Sequence, residues 1–203
     1  TELSEIEKQR GLRRESRKAN RIPLVALVGY TNAGKSTMLN ALTDSNVLAE
    51  DKLFATLDPV VRKITLSGGT EALLSDTVGF INKLPHDLVE AFKSTLEEVS
   101  NSDRILQVVD ISCPYHEKQM RVVDGVLESL HAADIPRIIV FNKADAIPSC
   151  DLPAESENRL NVSALCGTGI EKLLSAVELK LNSARTEVDI LVPYSKYEAV
   201  SMI

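Results

Sequence analysis

Residues 24–36 read LVALVGYTNAGKS, an apolar run followed by an eight-residue pattern of the form G-x-x-x-x-G-K-[ST]. The apolar run predicts a buried strand. A glycine-bounded loop after a strand can wrap its backbone N–H groups around a phosphate, and a helix that starts near Lys35 adds its positive N-terminal dipole. In such a P-loop Lys35 reaches the β- and γ-phosphates, and Ser36 offers its hydroxyl to Mg²⁺. The stretch therefore predicts a strand–loop–helix unit that binds a nucleotide.

A second motif indicates which base the nucleotide carries. Residues 142–145 read NKAD after the apolar run 138–141. This order predicts a position at the carboxyl end of a parallel strand, where doubly wound sheets bind ligands. A carboxylate at Asp145 can accept both the ring N–H and the exocyclic amine of guanine, whereas adenine presents no such pair of donors. Alone, the tetrapeptide is compatible with a solvated turn; together with the P-loop it predicts that Asp145 selects guanine.

Two further segments follow in the order that a GTP-binding domain requires. Residues 76–79 read DTVG after the strand-like stretch 71–75. Asp76 can there hold a Mg²⁺-bound water, and Gly79 can offer its backbone N–H to a γ-phosphate. Residues 163–165 read SAL after a predicted last strand, so their backbone can meet the guanine O6. That tripeptide is common at strand ends and carries weight only beside the other motifs.

A threonine between the P-loop and Asp76 is the expected second protein ligand to Mg²⁺. Residues 53–59 read LFATLDP, and we assign Thr56 to this role. The nearby alternatives, Thr43 and Thr65, fall in a predicted helix and a predicted strand, respectively.

The residue after D-x-x-G is Phe80, at the position where Ras-like enzymes carry a glutamine that orients the attacking water. A phenyl ring can neither orient nor deprotonate water. We therefore expect slow intrinsic hydrolysis and leave the catalytic residue unassigned. Asn82, His86 and Asp87 are polar neighbours in the sequence, but no motif supports a catalytic role for them.

Periodicity and turn residues predict an α/β fold. Gly68-Gly69 marks a hairpin, so one strand pair is antiparallel while the others alternate with helices. We expect a P-loop NTPase three-layer sandwich of the Ras-like G-domain type, with a mostly parallel six-stranded sheet and one antiparallel strand. The strands are predicted at 23–28, 60–66, 71–75, 104–110, 137–141 and 158–162. The helices are predicted at 35–43, 86–100, 114–132 and 168–182.

Composition limits the class of protein. The chain has 203 residues, enough for one substantial core, and hydrophobic residues make up 44%. No apolar run approaches the roughly 18 residues of a membrane span, so we expect no membrane span. Its three cysteines are odd in number and lack CxxC spacing, which argues against a disulfide framework or a zinc site. These features are typical of a protein of the reducing cytoplasm.

Charge is distributed unevenly along the chain. The segment 8–21 contains seven cations and one anion, although the whole chain has a net charge of −6. A solvated helix face is the plain interpretation of this basic run. The alternative is an arm that contacts the phosphates of RNA.

With these motifs the sequence resembles the G domain of the HflX family of ribosome-associated GTPases. The resemblance covers roughly residues 22–184 and rests on GYTNAGKST, LFATLDP, DTVGFINKLPHDLVEAFKSTLEE, NKAD and SAL. It implies GTP hydrolysis to GDP and phosphate, binding to the large ribosomal subunit and its RNA, and a role in splitting or rescuing stalled ribosomes. It also implies that residues 1–21 are the end of a helical linker and residues 185–203 the start of a C-terminal domain. We expect a monomer.

The motifs and the resemblance together give an expected set of site residues. The metal ligands are expected to be Ser36, Thr56 and, through water, Asp76, with Mg²⁺ as cofactor. Asn32 resembles the asparagine of the K⁺-activated TrmE and Era GTPases and is a candidate K⁺ ligand, although a structural role in the loop is an equal alternative. The expected GTP-binding residues are Gly29, Tyr30, Thr31, Asn32, Ala33, Gly34, Lys35, Ser36, Thr37, Phe54, Ala55, Thr56, Asp76, Thr77, Val78, Gly79, Asn142, Lys143, Asp145, Ser163, Ala164 and Leu165.

Two functional classes remain open on the sequence. The first is a GTP hydrolase whose turnover drives a mechanical step on the ribosome. The second is a nucleotide-gated RNA- or ribosome-binding switch, in which GTP selects a conformation and hydrolysis resets it. A ribosome-assembly GTPase of the Era or Obg type is a related alternative. The sequence FINKLP at 80–85 and the Tyr-Thr-Asn of the P-loop favour HflX.

Overall fold

The computed structural model describes residues 22–43, 61–77, 79 and 98–183. Residues 98–100 are helical and continue directly into a turn. Within the described residues the strands are β1 (Leu24–Gly29), β2 (Val61–Thr65), β3 (Glu71–Asp76), β4 (Arg104–Asp110), β5 (Arg137–Asn142) and β6 (Arg159–Asn161). The helices are α1 (Lys35–Thr43), α2 (His116–Ser129) and α3 (Ile170–Asn182), with short 3₁₀ turns at Ala144–Ala146 and Ser149–Asp151.

The sheet has the predicted topology. Its six strands lie in the order β2-β3-β1-β4-β5-β6, with β2 antiparallel to β3 and all other neighbours parallel. The turn 66–70 closes the antiparallel pair, since Leu66 N–H donates to the carbonyl of Thr70 at 2.8 Å. The mostly parallel six-stranded sheet with one antiparallel strand is confirmed.

The alternation of side chains along β1 explains the three layers. Val25 and Leu27 face one side and pack with α1 and α3, while Ala26 and Val28 face the other side and pack with α2. All six residues of β1 are buried. A central parallel strand that is covered on both faces has to be apolar throughout, and this explains why its sequence lacks the polar alternation of a half-exposed strand.

Two helices begin later than predicted. The helix α2 starts at His116 rather than 114, because residues 113–116 form a turn closed by the His116 N–H on the carbonyl of Cys113 at 3.0 Å, and Tyr115 at the N-cap has non-helical dihedrals of φ −103° and ψ 17°. The last starts at Ile170 rather than 168, because Gly169 at its N-cap has φ +78°. Of the helix predicted at 86–100, only residues 98–100 are described. The sequence also predicts a strand at 188–194, and this segment lies outside the described residues as well.

The β2–β3 hairpin is tied to α3 at its tip. Gly68 N–H donates to Glu178 Oε2 at 2.7 Å, and the hydroxyls of Ser67 and Ser175 lie 3.1 Å apart. A Cβ at position 68 would lie 2.4 Å from Glu178 Oε1, so a larger residue there would displace the Glu178 carboxylate from this contact. The hairpin and the last helix are thus held as one unit.

Candidate nucleotide-binding site

The predicted P-loop follows β1 and leads directly into α1. Asn32 and Gly34 both have positive φ, +60° and +88°. A Cβ on Gly34 would lie 2.3 Å from Asn142 Nδ2, so both the backbone conformation and the close approach require glycine there. Asparagine tolerates the left-handed region better than most residues, which supplies a structural reason for Asn32 in this loop.

Lys35 is buried at the start of α1, with 7% of its surface exposed. Its ammonium donates to the carbonyls of Gly29 at 3.2 Å and Tyr30 at 3.1 Å. Burial lowers the pKa of Lys35 from 10.5 to about 8, and the nearby Asp76 carboxylate partly opposes that shift. The loop's own carbonyls thus hold a costly buried cation inside the turn that was predicted to surround phosphate.

Ser36 and Asp76 meet as the sequence predicted. Ser36 Oγ donates to Asp76 Oδ2 at 3.0 Å, and Asp76 is the buried last residue of β3. The next residue, Thr77, is fully buried and its hydroxyl donates to the carbonyl of Leu27 at 2.6 Å. This bond fixes the end of β3 against β1 and thereby sets the position of Asp76 beside the P-loop.

Gly79 lies against the P-loop. A Cβ at this position would lie 2.8 Å from Thr31 Cγ2 and 3.1 Å from Lys35 Nζ. Only a glycine allows the backbone to come this close. Gly79 thus lies beside the P-loop, and the role of its N–H towards a γ-phosphate stays a prediction.

Asn142 has a role that the sequence did not reveal. It is buried at the end of β5, where its Nδ2 donates to the carbonyl of Ala33 at 2.9 Å and its Oδ1 accepts the N–H of Ala164 at 3.0 Å. One side chain therefore links the P-loop to the SAL loop. The sequence placed Asn142 in the nucleotide site, and the structure shows that it joins the two walls of that site.

Lys143 and Asp145 follow Asn142 in the turn after β5. Lys143 has φ +63° and its ammonium pairs with Asp110 Oδ2 at 2.7 Å. Asp145 lies in the 3₁₀ turn 144–146 and is exposed. Its carboxylate makes no hydrogen bond or ion pair with any of the described residues, so it is available to a ligand.

The SAL loop follows β6 beside this turn. The N–H of Ala144 donates to the carbonyl of Val162 at 3.1 Å, which joins the NKAD turn to this loop. Ser163 is buried and its hydroxyl accepts the N–H of Cys166 at 3.1 Å, while Leu165 is 81% exposed. The buried Ser163 thus shapes the loop internally, whereas the exposed Leu165 is directed away from the core.

Asp110 is the residue that the sequence-based reasoning missed. It ends β4, directly opposite Asn142 in the register of β4 and β5. Its Oδ1 accepts the backbone N–H of Ser112 at 3.0 Å and the Ser112 hydroxyl at 2.5 Å. The rule that identified Asp76, a carboxylate at the end of a parallel strand, would also have identified Asp110.

Several predicted site residues lie outside the described part of the chain. They are Phe54, Ala55, Thr56, Val78 and Phe80, together with the basic run 8–21 and the polar residues Asn82, His86 and Asp87. Their assignments stay predictions.

The described residues show free cysteines, no metal cluster and no helix able to span a membrane. The three cysteines, Cys113, Cys150 and Cys166, are free thiols. Residues 22–43, 61–77, 79 and 98–183 contain no cluster of three or more His, Cys, Asp or Glu side chains arranged to hold a metal. No helix within the same ranges combines the length and the apolarity that crossing a bilayer requires.

Comparison with known sequences also indicates a GTP-binding domain. The family model described as 50S ribosome-binding GTPase matches residues 24–143. GTPase HflX from Caldanaerobacter subterraneus subsp. tengcongensis is 52% identical over 194 residues, which cover 96% of this chain and 45% of that protein. The chain spans about half the length of the curated relatives it matches.

Solved structures share the fold. A GTP-binding protein from Sulfolobus solfataricus in complex with GDP superimposes with a TM-score of 0.65 at 26% identity, covering 91% of this chain and 61% of that one. A variant of Era from Aquifex aeolicus bound to GDP·AlF4− gives a TM-score of 0.62 at 26% identity, covering 85% and 60%. From the family model, the relatives and the shared fold together, the chain belongs to the HflX family of GTPases.

Proposed function

We propose that this chain binds GTP and hydrolyses it to GDP and phosphate. One observation carries the proposal: the P-loop, Asp76 and the turn that contains Asp145 lie at the carboxyl ends of parallel strands, along one edge of the sheet, and Asn142 at the end of β5 bonds to the P-loop at 2.9 Å and to the SAL loop at 3.0 Å. Such an edge is where open parallel sheets bind nucleotides. The exposed carboxylate of Asp145 supplies the acceptor that guanine needs.

Residues of the P-loop bind the phosphates in this proposal. The backbone N–H groups of residues 29–37 surround the β-phosphate, and Lys35 exchanges its two carbonyl contacts for β- and γ-phosphate oxygens. A phosphate repays the burial of the ammonium far better than neutral carbonyls do, because both partners are then charged. Gly79 donates its N–H to the γ-phosphate.

The corner between α1 and β3 fits a magnesium ion. Ser36 Oγ and Asp76 Oδ2 are hard oxygen atoms 3.0 Å apart. Mg²⁺ takes oxygen ligands in a regular octahedron and retains several waters, so a hydroxyl and a water-bridged carboxylate suffice beside phosphate oxygens. We assign Ser36 as a direct ligand, Asp76 as a ligand through water, and Thr56 as the second protein ligand. When bound, the ion would neutralise charge that develops on the transferred phosphoryl group.

Hydrolysis by this chain alone is expected to be slow. Phe80 occupies the position at which a glutamine would orient water, and we assign no catalytic base. Asn32 is proposed as a K⁺ ligand that would add positive charge beside the phosphates. Its exposed position permits this role, while its left-handed backbone also suits a purely structural asparagine. Equal GTPase rates in KCl and NaCl would exclude the cation site.

The partner that supplies the missing group is proposed to be the large ribosomal subunit. The support is membership of a family described as 50S ribosome-binding GTPases. The seven cations of the segment 8–21 would contact ribosomal RNA, which makes association fall steeply with salt. In this proposal residues 1–21 form a linker, 22–184 the G domain and 185–203 the start of a further domain, in a monomeric cytoplasmic protein.

Two measurements test the proposal. Calorimetric titration of the 203-residue chain with GDP and with ADP should show binding of GDP and at least a hundredfold weaker binding of ADP, because adenine leaves the Asp145 carboxylate unsatisfied. Equal affinity for the two would refute the base assignment.

GTP turnover with and without large ribosomal subunits distinguishes the functional classes. A hydrolase driven by the ribosome should be stimulated strongly in its full-length form. A nucleotide-gated switch or an assembly GTPase of the Era or Obg type would instead show nucleotide-dependent binding with little acceleration. Reversing the charge of Arg13, Arg14 and Arg17 should weaken subunit binding and flatten its salt dependence.

A further inference from the structure

Asp145 carries an exposed carboxylate with a flexible cation close by in the chain. Lys143 lies two residues before it, and a lysine ammonium on its four-carbon stem readily pairs with neighbouring carboxylates. Such a pair would occupy the acceptor oxygens that guanine requires. Yet in this structure Asp145 is unpaired among the described residues, and the Lys143 ammonium lies 2.7 Å from Asp110 instead.

The position of Asp110 is itself fixed. Its Oδ1 accepts two donors from Ser112, and its place at the end of β4 is set by pairing with β5. This leaves Oδ2 directed to Lys143. The pair is also more shielded from water than an ordinary surface ion pair, since the side chains of Lys143 and Asp110 are only 34% and 16% exposed.

We infer that Asp110 is a positioning residue for base selection, because it holds the Lys143 ammonium away from Asp145 and so keeps that carboxylate available to guanine. The inference rests on the proposed guanine-binding role of Asp145. It deepens that role by stating why a lysine two residues away does not compete with the base.

The first test substitutes Asp110→Asn and measures GDP affinity by calorimetry. Asparagine retains the Oδ1 acceptor for Ser112 but loses the charge that attracts Lys143. The GDP dissociation constant is expected to rise about three- to fivefold, the range of one partly exposed ion pair. Asp110→Glu, which keeps the charge, is expected to stay close to the parent protein.

A second background separates base selection from local damage. The Asp145→Asn variant has an amide that also donates at this position, so it is assayed with xanthosine diphosphate (XDP) instead of GDP. In this variant no carboxylate remains for Lys143 to pair with, so adding Asp110→Asn should leave the affinity for XDP unchanged. Likewise, Asp110→Asn combined with Lys143→Met should bind GDP as Lys143→Met alone does. The matched control is Asp124→Asn, which breaks the 2.5 Å pair with Arg137 at the other end of β5 and should not alter GDP binding.

The outcomes are distinct. Weaker GDP binding in Asp110→Asn with unchanged XDP binding in the second background supports the inference. Unchanged GDP affinity, or equal losses of GDP and XDP affinity, overturns it, because the residue would then be neutral or merely structural. If the parent protein fails to prefer GDP over ADP, the proposed function itself fails, and this is visible before any variant is made.

Discussion

The proposed phosphate end and the proposed base end of the site differ in the burial of their charged side chains and in the protein partners that these side chains have. At the phosphate end Lys35 and Asp76 are buried and already hold protein partners, with Lys35 bound to two backbone carbonyls and Asp76 to Ser36. At the base end Asp145 is exposed and without a partner among the described residues. At the phosphate end a ligand has to replace existing protein contacts. At the base end it only has to donate hydrogen bonds to the Asp145 carboxylate. The two ends should therefore respond differently to substitution.

The base end should show the largest change in specificity. Asp145→Asn replaces an acceptor by a group that also donates, so GDP affinity is expected to fall about a thousandfold while XDP gains. Thermal stability should stay within about 0.5 kcal/mol of the parent protein, because Asp145 is exposed. Titration with both nucleotides and a thermal melt measure the two effects. A large loss of stability would show that Asp145 has a structural role instead.

The phosphate end should show the reverse relation between binding and stability. Lys35→Met is expected to weaken GDP binding about a hundredfold, because a charge-assisted contact to phosphate is lost. The same change should raise the free energy of unfolding of the nucleotide-free protein by about 1–3 kcal/mol at pH 7. The reason is that it removes a buried ammonium, whose pKa burial lowers to about 8. Urea denaturation of the nucleotide-free protein checks the sign. A destabilised variant would mean that the carbonyl contacts outweigh the cost of burial.

Asn142 joins the two ends, so its loss should impair both binding and stability. Asn142→Ala breaks two buried hydrogen bonds and is expected to cost about 2–3 kcal/mol of stability and about tenfold in GDP affinity. Asn161→Ala is the matched control. It breaks a single 2.8 Å bond to the carbonyl of Pro153, which is not a predicted site residue, and should cost stability with no loss of GDP affinity. Equal effects of the two variants on affinity would remove Asn142 from the site.

The smallest effect is the dependence on pH. Lys35 has a folded pKa of about 8 against 10.5 in the unfolded chain, so between these values the unfolded chain holds the proton that the folded chain has lost. The contribution of Lys35 to stability therefore rises with pH in this window. Nucleotide affinity moves the other way, since phosphate needs the ammonium, and should fall about threefold between pH 7.5 and 8.5. Calorimetric titration of GDP in two buffers measures the proton uptake that accompanies binding and so checks this pH dependence. The Lys35→Met variant is the control, because it lacks the lysine while the guanine base still titrates.

Local motifs explain why most of the fold and the phosphate end could be predicted. The run 24–36 specifies a strand, a loop and a helix within consecutive residues, and β3 ends at Asp76, one residue beyond the predicted strand 71–75. These features depend on hydrophobic periodicity and on glycine conformation, both of which are visible in the sequence. The same holds for the hairpin at Gly68-Gly69.

The rest depends on register between strands that are distant in sequence. The pairing of Asp110 with Lys143 follows from the alignment of β4 with β5, and the two bonds of Asn142 follow from the approach of three separate loops. No local pattern encodes such distances. The later start of α2 at His116 likewise depends on the turn 113–116, whereas Pro114 alone is compatible with a helix that begins at 114.

The tied hairpin tip has a practical consequence for labelling and tagging. Tips of exposed hairpins are usually the preferred places to insert a peptide tag or a fluorophore. Here the tip carries the bond from Gly68 to Glu178 and the contact between Ser67 and Ser175, so an insertion would break the contacts that join the hairpin tip to α3. Gly125 is a better position for a fluorophore attached to a substituted side chain, because a Cβ added there on the surface of α2 meets nothing within 4 Å. A cysteine at position 125, with the exposed Cys150 and Cys166 replaced, would therefore carry a label without disturbing the packing.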